Sequence, residues 1–264
     1  MAPTLDRKFD FLRLEEPVKG VVLIVLNRPT VMNAFNSGMV AELRDLFRAL
    51  ESDSSRVAII TGEGERAFSA GADLEEMLSM SEQASRDSLD AGIALTREIE
   101  ESSKVVIAAI NGAALGGGME IALACDLRVA RSTAKLGLPE VKVGIFPGWG
   151  GTVRLPRLVN GAIAREMILT GKIIDGTQAS AIGLLNAHGE NALDLALSLA
   201  ADILAAAPIA QEQAKLVISQ CANMDIDDAM TFENDAWMRT FFSDDRREGH
   251  QAFLERRQPT WSGE

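Results

Sequence analysis

Short apolar runs, three of them cut off by turn-forming residues, restrict the fold of this chain more than any other feature. Val21–Leu26 (VVLIVL) stops at Asn27-Arg28-Pro29, and residues 57–60 (VAII) stop at Thr61-Gly62. Val105–Ile110 stops at Asn111-Gly112, and residues 127–130 add a fourth run. Such runs are almost continuously apolar and rich in β-branched residues, the pattern of strands covered on both faces. Between the first two, Met39, Leu43, Leu46, Phe47 and Leu50 recur at helical spacing and form one apolar stripe. Strands alternating with such helices predict an α/β fold.

Beyond about Asn191 the strand signals cease. Residues 192–207 are rich in alanine and leucine and predict a helix. Pro208 can open a second one, since proline is tolerated in a first helical turn. Residues 227–242 and 246–256 predict two more, with Ser243 as the N-cap of the last. Met230, Phe232, Trp237, Phe241, Phe242, Phe253 and Trp261 concentrate in this tail. A short helical segment cannot bury so many large side chains alone, so they are expected to pack on the main body or on another subunit. There is no low-complexity segment and no clear tandem repeat.

The totals narrow the function classes. With 264 residues, 47% of them hydrophobic, the chain can bury a large core. It carries 26 basic and 38 acidic residues, a net charge of −12. That balance disfavours nucleic acid and anionic membrane surfaces as partners, while leaving room for a local basic pocket. Cys125 and Cys221 suggest no disulfide framework, and Cys125 lies in an apolar run that suits a buried, inert thiol. The first residues are charged without an apolar signal core, and no run reaches the ~20 apolar residues of a membrane span. The expectation is a soluble, cytoplasmic protein.

The candidate chemistry lies in two glycine-rich stretches. Gly116-Gly117-Gly118 precedes a helix-like run at 119–124. Free N–H groups at such a helix start can bind negative charge, although a plain tight turn would look the same. Glu120 falls in the first turn of that helix, where acidic residues are ordinary. Glu140 follows Pro139 in a loop signal, where a solvated carboxylate is the usual outcome. Together the two carboxylates could hold one water beside a polarised carbonyl. The stretch from Gly62 to Ala67 matches G-x-G-x-x-A, but Phe68-Ser69-Ala70-Gly71 interrupts the helix that a dinucleotide site needs. Ser69 lacks the first glycine of a nucleophile elbow. His188 and His250 are isolated, so no metal site is supported.

Residues 26–36 (LNRPTVMNAFN), 67–77 (AFSAGADLEEM), 108–130 (AAINGAALGGGMEIALACDLRVA), 136–159 (LGLPEVKVGIFPGWGGTVRLPRLV) and 248–259 (EGHQAFLERRQP) occur in this order. In them the chain closely resembles the crotonase superfamily, specifically the enoyl-CoA hydratase/isomerase family, over nearly its whole length. The resemblance implies a crotonase-like spiral of ββα units over residues 1–195, carrying the CoA-thioester site. It implies a C-terminal helical region, 196–264, that mediates assembly as a homotrimer or a homohexamer built as a dimer of trimers. It maps an oxyanion hole onto the N–H groups of Ala72 and Gly117, and two catalytic glutamates onto Glu120 and Glu140. CoA-binding turns map onto Met32, Ala34, Ala70, Asp73 and Leu74. No metal or cofactor is implied, because coenzyme A arrives as part of the substrate.

This resemblance favours a 2-enoyl-CoA hydratase, in which Glu140 gives a proton to C2 and Glu120 shares in activating water. An isomerase or another CoA-thioester enzyme on the same scaffold is the alternative. A catalytically silent scaffold binding CoA or RNA is a third reading, weakened by the intact acids and by the net charge. Trp149, in PGWGG, is bulkier than the small residue of many relatives; it can shape the acyl pocket or simply pack. Residues 77–93 are expected to border the acyl chain. The absence of tyrosine argues against relatives that grip phenolic substrates. Residues 184–189 depart from the more strand-like run expected there.

Overall fold

The computed structural model describes residues 5 and 7–264. Its strands are β1 (Leu12–Glu15), β2 (Val21–Leu26), β3 (Val57–Gly62), β4 (Ala67–Ser69), β5 (Val105–Ile110), β6 (Ala113–Leu115), β7 (Leu127–Arg131), β8 (Lys135–Gly137), β9 (Ile173–Asp175) and β10 (Ala187–Gly189). They form a six-stranded sheet in the order β1-β2-β3-β5-β7-β10 and a four-stranded sheet in the order β4-β6-β8-β9. From β3 onward, three successive strand pairs place one strand in each sheet before the chain returns through helix. This is the expected ββα spiral of an α/β protein.

In the larger sheet β2, β3, β5, β7 and β10 run parallel, with β1 antiparallel at the edge. Register aligns Val21 with Val57 and Val57 with Val105. Period-two alternation sends Val22, Ile24, Leu26, Ala58 and Ile60 to one apolar cluster and Val21, Leu23, Val25, Val57 and Ile59 to another. Both faces are therefore buried, which explains the unbroken apolar runs.

The helices are α1 (Ser37–Leu50), α2 (Leu74–Ser79), α3 (Glu82–Glu101), α4 (Gly117–Ala124), α5 (Gly151–Leu158), α6 (Gly161–Thr170), α7 (Gly176–Ala181), α8 (Ala192–Leu204), α9 (Pro208–Cys221), α10 (Ile226–Phe241) and α11 (Asp244–Glu255). Helix α1 lays its stripe of Met39, Leu43, Leu46, Phe47 and Leu50 into the first cluster. Helix α8 packs Ala192, Ala196 and Ala200 onto the opposite face of the sheet. Phe68, Ala114, Leu136 and Ile174 of the smaller sheet join the first cluster, so both sheets share a core.

The tail is helical, with Pro208 opening α9 and Ser243 capping α11 through the Arg246 N–H. Its large apolar side chains are only partly accommodated within the chain. Trp237 stacks on Phe241, yet Trp237, Phe242, Phe253 and Leu254 remain exposed, Phe253 at 82%. Cys125 is buried at the end of α4, where burial pushes its thiol up to about 12. His188 and His250 are both exposed. Among the described residues, no single helix is long and apolar enough to cross a membrane.

Candidate active site

Two backbone turns meet at the start of α4. Gly116 caps this helix with φ +51°, and Gly71 of the upstream turn has φ +102°, conformations that favour glycine. The turns touch: a Cβ added to Gly71 would lie 2.8 Å from Leu115 O and 3.2 Å from Gly117 N. Helix α4 thus starts at Gly117, two residues before the apolar run that announced it, and all of its residues are buried. Within the upstream turn, Phe35 N–H donates to Gly71 O and Asp73 N–H donates to Phe35 O. The Ala72 N–H between them, and the Gly117 N–H across from Gly71, have no protein acceptor among the described residues.

Side chains lock the upstream turn to the 28–34 segment. Buried Asn33 accepts from Arg28 N–H through Oδ1 and donates from Nδ2 to Glu63 O and Ala67 O. Arg28 donates to Ala34 O and Asp73 Oδ2. Asp73 also caps α2 by accepting from Glu75 and Glu76 N–H. Burial pushes its carboxyl pKa up, but Arg28 and these N–H groups outweigh that and hold it below the ordinary value. Arg28 and Asn33 were not singled out in the sequence; their signal is a polar pair within LNRPTVMNAFN. The Gly62–Ala67 stretch is a turn whose carbonyls are held by Asn33 and Asn111, with no helix after it.

A cavity of about 800 Å³ opens above these turns. Ala34, Ala70, Ala72, Asp73, Leu74, Gly117, Glu120 and Glu140 all line it. Met32 does not; it adopts φ +55° and its carbonyl accepts from Ala70 N–H, joining the two segments from behind. Met77, Met80, Ser85, Ser88 and Leu89, from the 77–93 region, form another wall.

Both glutamates reach the floor of this cavity. Glu120 is 3% exposed, and its Oε1 accepts from Trp149 N–H at 2.7 Å and Gly151 N–H at 2.8 Å. Burial pushes its pKa up, opposed by those two N–H groups and by the charge of Arg154. Glu140 begins a single helical turn, Glu140–Val143, and is not the solvated loop carboxylate that its local sequence suggests. Both of its carboxylate oxygens are buried without a hydrogen-bond partner, beside the bare Cα of Gly116. Burial raises its pKa to about 7, its own backbone N–H opposing and the charge of Glu120 adding to the rise. Because the charge of Glu120 acts on Glu140, the two acids are expected to titrate as a pair.

Trp149 both lines the cavity and packs, making an edge-to-face contact with Phe35 at 5.7 Å. Its carbonyl accepts from Arg154 Nη1 and Thr96 Oγ1, so its peptide is held at both ends. These backbone and second-layer groups carried no motif of their own in the sequence. Among the described residues, no three histidine, cysteine or acidic side chains cluster as a metal site.

The enoyl-CoA hydratase/isomerase family model matches residues 16–264. A crotonyl-CoA hydratase of Syntrophomonas wolfei is 41% identical over 252 residues, covering 94% of this chain and 96% of that protein. The chain belongs to the enoyl-CoA hydratase/isomerase family. A mitochondrial methylglutaconyl-CoA hydratase of Homo sapiens is 40% identical, covering 95% of this chain and 76% of the relative. Among solved structures, an enoyl-CoA hydratase from Bacillus anthracis superposes with a TM-score of 0.94 at 38% identity, covering 97% of this chain and all of the other. The fold is therefore that of the crotonases. The relatives' names differ in acyl group, so membership leaves the substrate open.

Proposed function

We propose that this protein is a hydro-lyase that adds water across the C2=C3 bond of a 2-enoyl-CoA thioester to give a 3-hydroxyacyl-CoA. The observation that carries the reading is the cavity floor, where two buried carboxylates lie beside two turns with unengaged N–H groups. In this reading Ala72 and Gly117 donate to the thioester oxygen and stabilise the charge that builds there as water attacks C3. Removing one such donor costs about 2.7–4 kcal/mol of transition-state stabilisation. Ala34, Ala70, Asp73 and Leu74 flank the CoA arm, and Met32 supports them from behind.

Glu120, anchored through Oε1, keeps Oε2 for the water and takes its proton as the C–O bond forms. Glu140 begins the cycle protonated and delivers a proton to C2 as the enolate collapses. One acid starts ionised and the other protonated, and they end exchanged, so the total charge of the pair is unchanged. A pKa of about 7 suits Glu140 to give up a proton near neutral pH.

A panel of crotonyl-CoA, longer 2-enoyl-CoAs and 3-enoyl-CoAs, followed by loss of the conjugated enoyl absorbance and by product analysis, tests the reading. Hydration of 2-enoyl thioesters is expected. Conversion of 3-enoyl to 2-enoyl thioesters without hydration would instead make the protein an isomerase. Inactivity toward the whole panel would favour the silent scaffold.

A further inference from the structure

Trp149 lines the cavity beside the turn that carries the Gly117 N–H. The ring carbons Cζ3 and Cε3 of its indole lie 3.0 and 3.2 Å from the position of a Cβ added to Gly117. The same residue's N–H bonds Glu120. The indole therefore lies against Gly117, while its backbone holds the carboxylate assigned to water. It cannot withdraw. On its far side an added Cβ at Gly92 of α3 would fall 2.0 Å from Cε2 and 2.1 Å from Nε1, so α3 accommodates the ring only because that residue is glycine. Phe35 meets it edge-on, and its backbone is pinned by Glu120, Arg154 and Thr96. Leu89 closes the adjoining gap, its Cδ1 2.8 Å from the position of a Cβ on Gly148.

We propose that Trp149, seated on Gly92, is the specificity-determining residue of this site. Its indole ends the acyl compartment close to the reacting double bond and selects short 2-enoyl thioesters. The proposal rests on the hydratase reading above and adds the substrate class to it. One methylene more or less in an apolar pocket changes kcat/KM by roughly 10–200-fold, so a ring of this size can discriminate strongly.

The test measures kcat/KM for crotonyl-, hexenoyl- and decenoyl-CoA in the wild type, Trp149→Ala and Gly92→Ala. Wild type is expected to prefer crotonyl-CoA over decenoyl-CoA by at least about tenfold. Trp149→Ala is expected to raise the decenoyl-to-crotonyl ratio at least about tenfold, even though both rates fall as Glu120's support loosens. Gly92→Ala pushes the ring inward and is expected to lower the hexenoyl-to-crotonyl ratio. The ratio separates selection from a general loss of activity, and Trp149→Phe, with a smaller ring, supplies an intermediate ratio where the alanine variant fails to fold. A wild type that hydrates decenoyl-CoA as well as crotonyl-CoA, or a ratio unchanged across the variants, would overturn the proposal while leaving the hydratase reading intact. A wild type inactive on every 2-enoyl-CoA would overturn the hydratase reading itself.

Discussion

A carboxyl group with a pKa of about 7 is half protonated in neutral solution, and Glu140 carries that property because its oxygens are buried and unpartnered. Acting as the proton donor, it is active below that pKa, so kcat/KM for crotonyl-CoA is expected to decline as pH rises above about 7. Glu120 must be ionised to take a proton from water, and its pKa is also raised, so the rate is expected to fall again on the acidic side. A bell-shaped profile follows, with apparent values belonging to the pair. Replacing either acid by glutamine should lower kcat by about 10²–10⁴-fold with the circular dichroism spectrum unchanged. The same burial affects stability with a definite sign. The folded state holds the Glu140 proton more tightly than the unfolded state, so this contribution is complete below the unfolded carboxylate pKa and is lost as pH rises through about 7. Glu140→Gln escapes that loss. It should melt roughly 2–4 °C above wild type at about pH 8, corresponding to about 1 kcal/mol after allowance for partial solvation, and should show no gain near pH 4. A lower melting point at pH 8 would contradict the assigned environment.

At the scale of elements, the site depends on two turns pressed against each other. Gly71→Ala adds a side chain at φ +102° and 2.8 Å from Leu115 O. The turn must shift, and with it the Ala72 N–H; kcat should drop about 10²–10³-fold, the value of one misplaced donor. Gly64→Ala is the control, since it has φ +80° with nothing within 4 Å. It should lose about 1–3 kcal/mol of stability in chemical denaturation and keep wild-type kinetics. The long strands were legible as apolar runs, α1 from its apolar stripe, α8 from its alanine and leucine content and α9 from the proline that opens it. Strands β4, β6, β8, β9 and β10 are three residues each, too short for any period to register. β10 nevertheless forms within 184–189, because pairing with β7 supplies what local propensity lacks. Helix α3 was hidden by its polar exposed face, and only Gly92, Leu95, Thr96 and Ile99 are buried. Glu140's burial was not legible either, since it depends on Gly116 lacking a Cβ across space rather than on its own neighbours.

At the scale of the whole molecule, the apolar side chains left open on the C-terminal helices are proposed to meet another subunit. Phe253 and Leu254 are 82% and 80% exposed, and Trp237, Phe242, Met230 and Ile226 add to the exposed area. The aromatic-rich tail was readable as a surface to be covered by the main body or by another subunit; a trimer or dimer of trimers, which the family resemblance implies, is proposed to cover what the chain itself leaves open. Light scattering coupled to size exclusion should give three or six chains per particle, and Phe253→Asp should lower that number. A monomeric wild type would contradict this. The Glu120–Glu140 pair was singled out from two motifs, and both residues line one cavity, whereas the hold of Trp149 and Gly151 on Glu120 carried no signal in the sequence. The claim on which the account turns is that this pair adds a water molecule to an enoyl thioester. Mass spectrometry of crotonyl-CoA incubated with the protein in heavy-oxygen water examines it directly. One heavy oxygen is expected at C3 of the 3-hydroxybutyryl product, formed by wild type and nearly lost in both glutamine variants. Recovery of unlabelled thioester from wild type, or equal labelling by the variants, would contradict it.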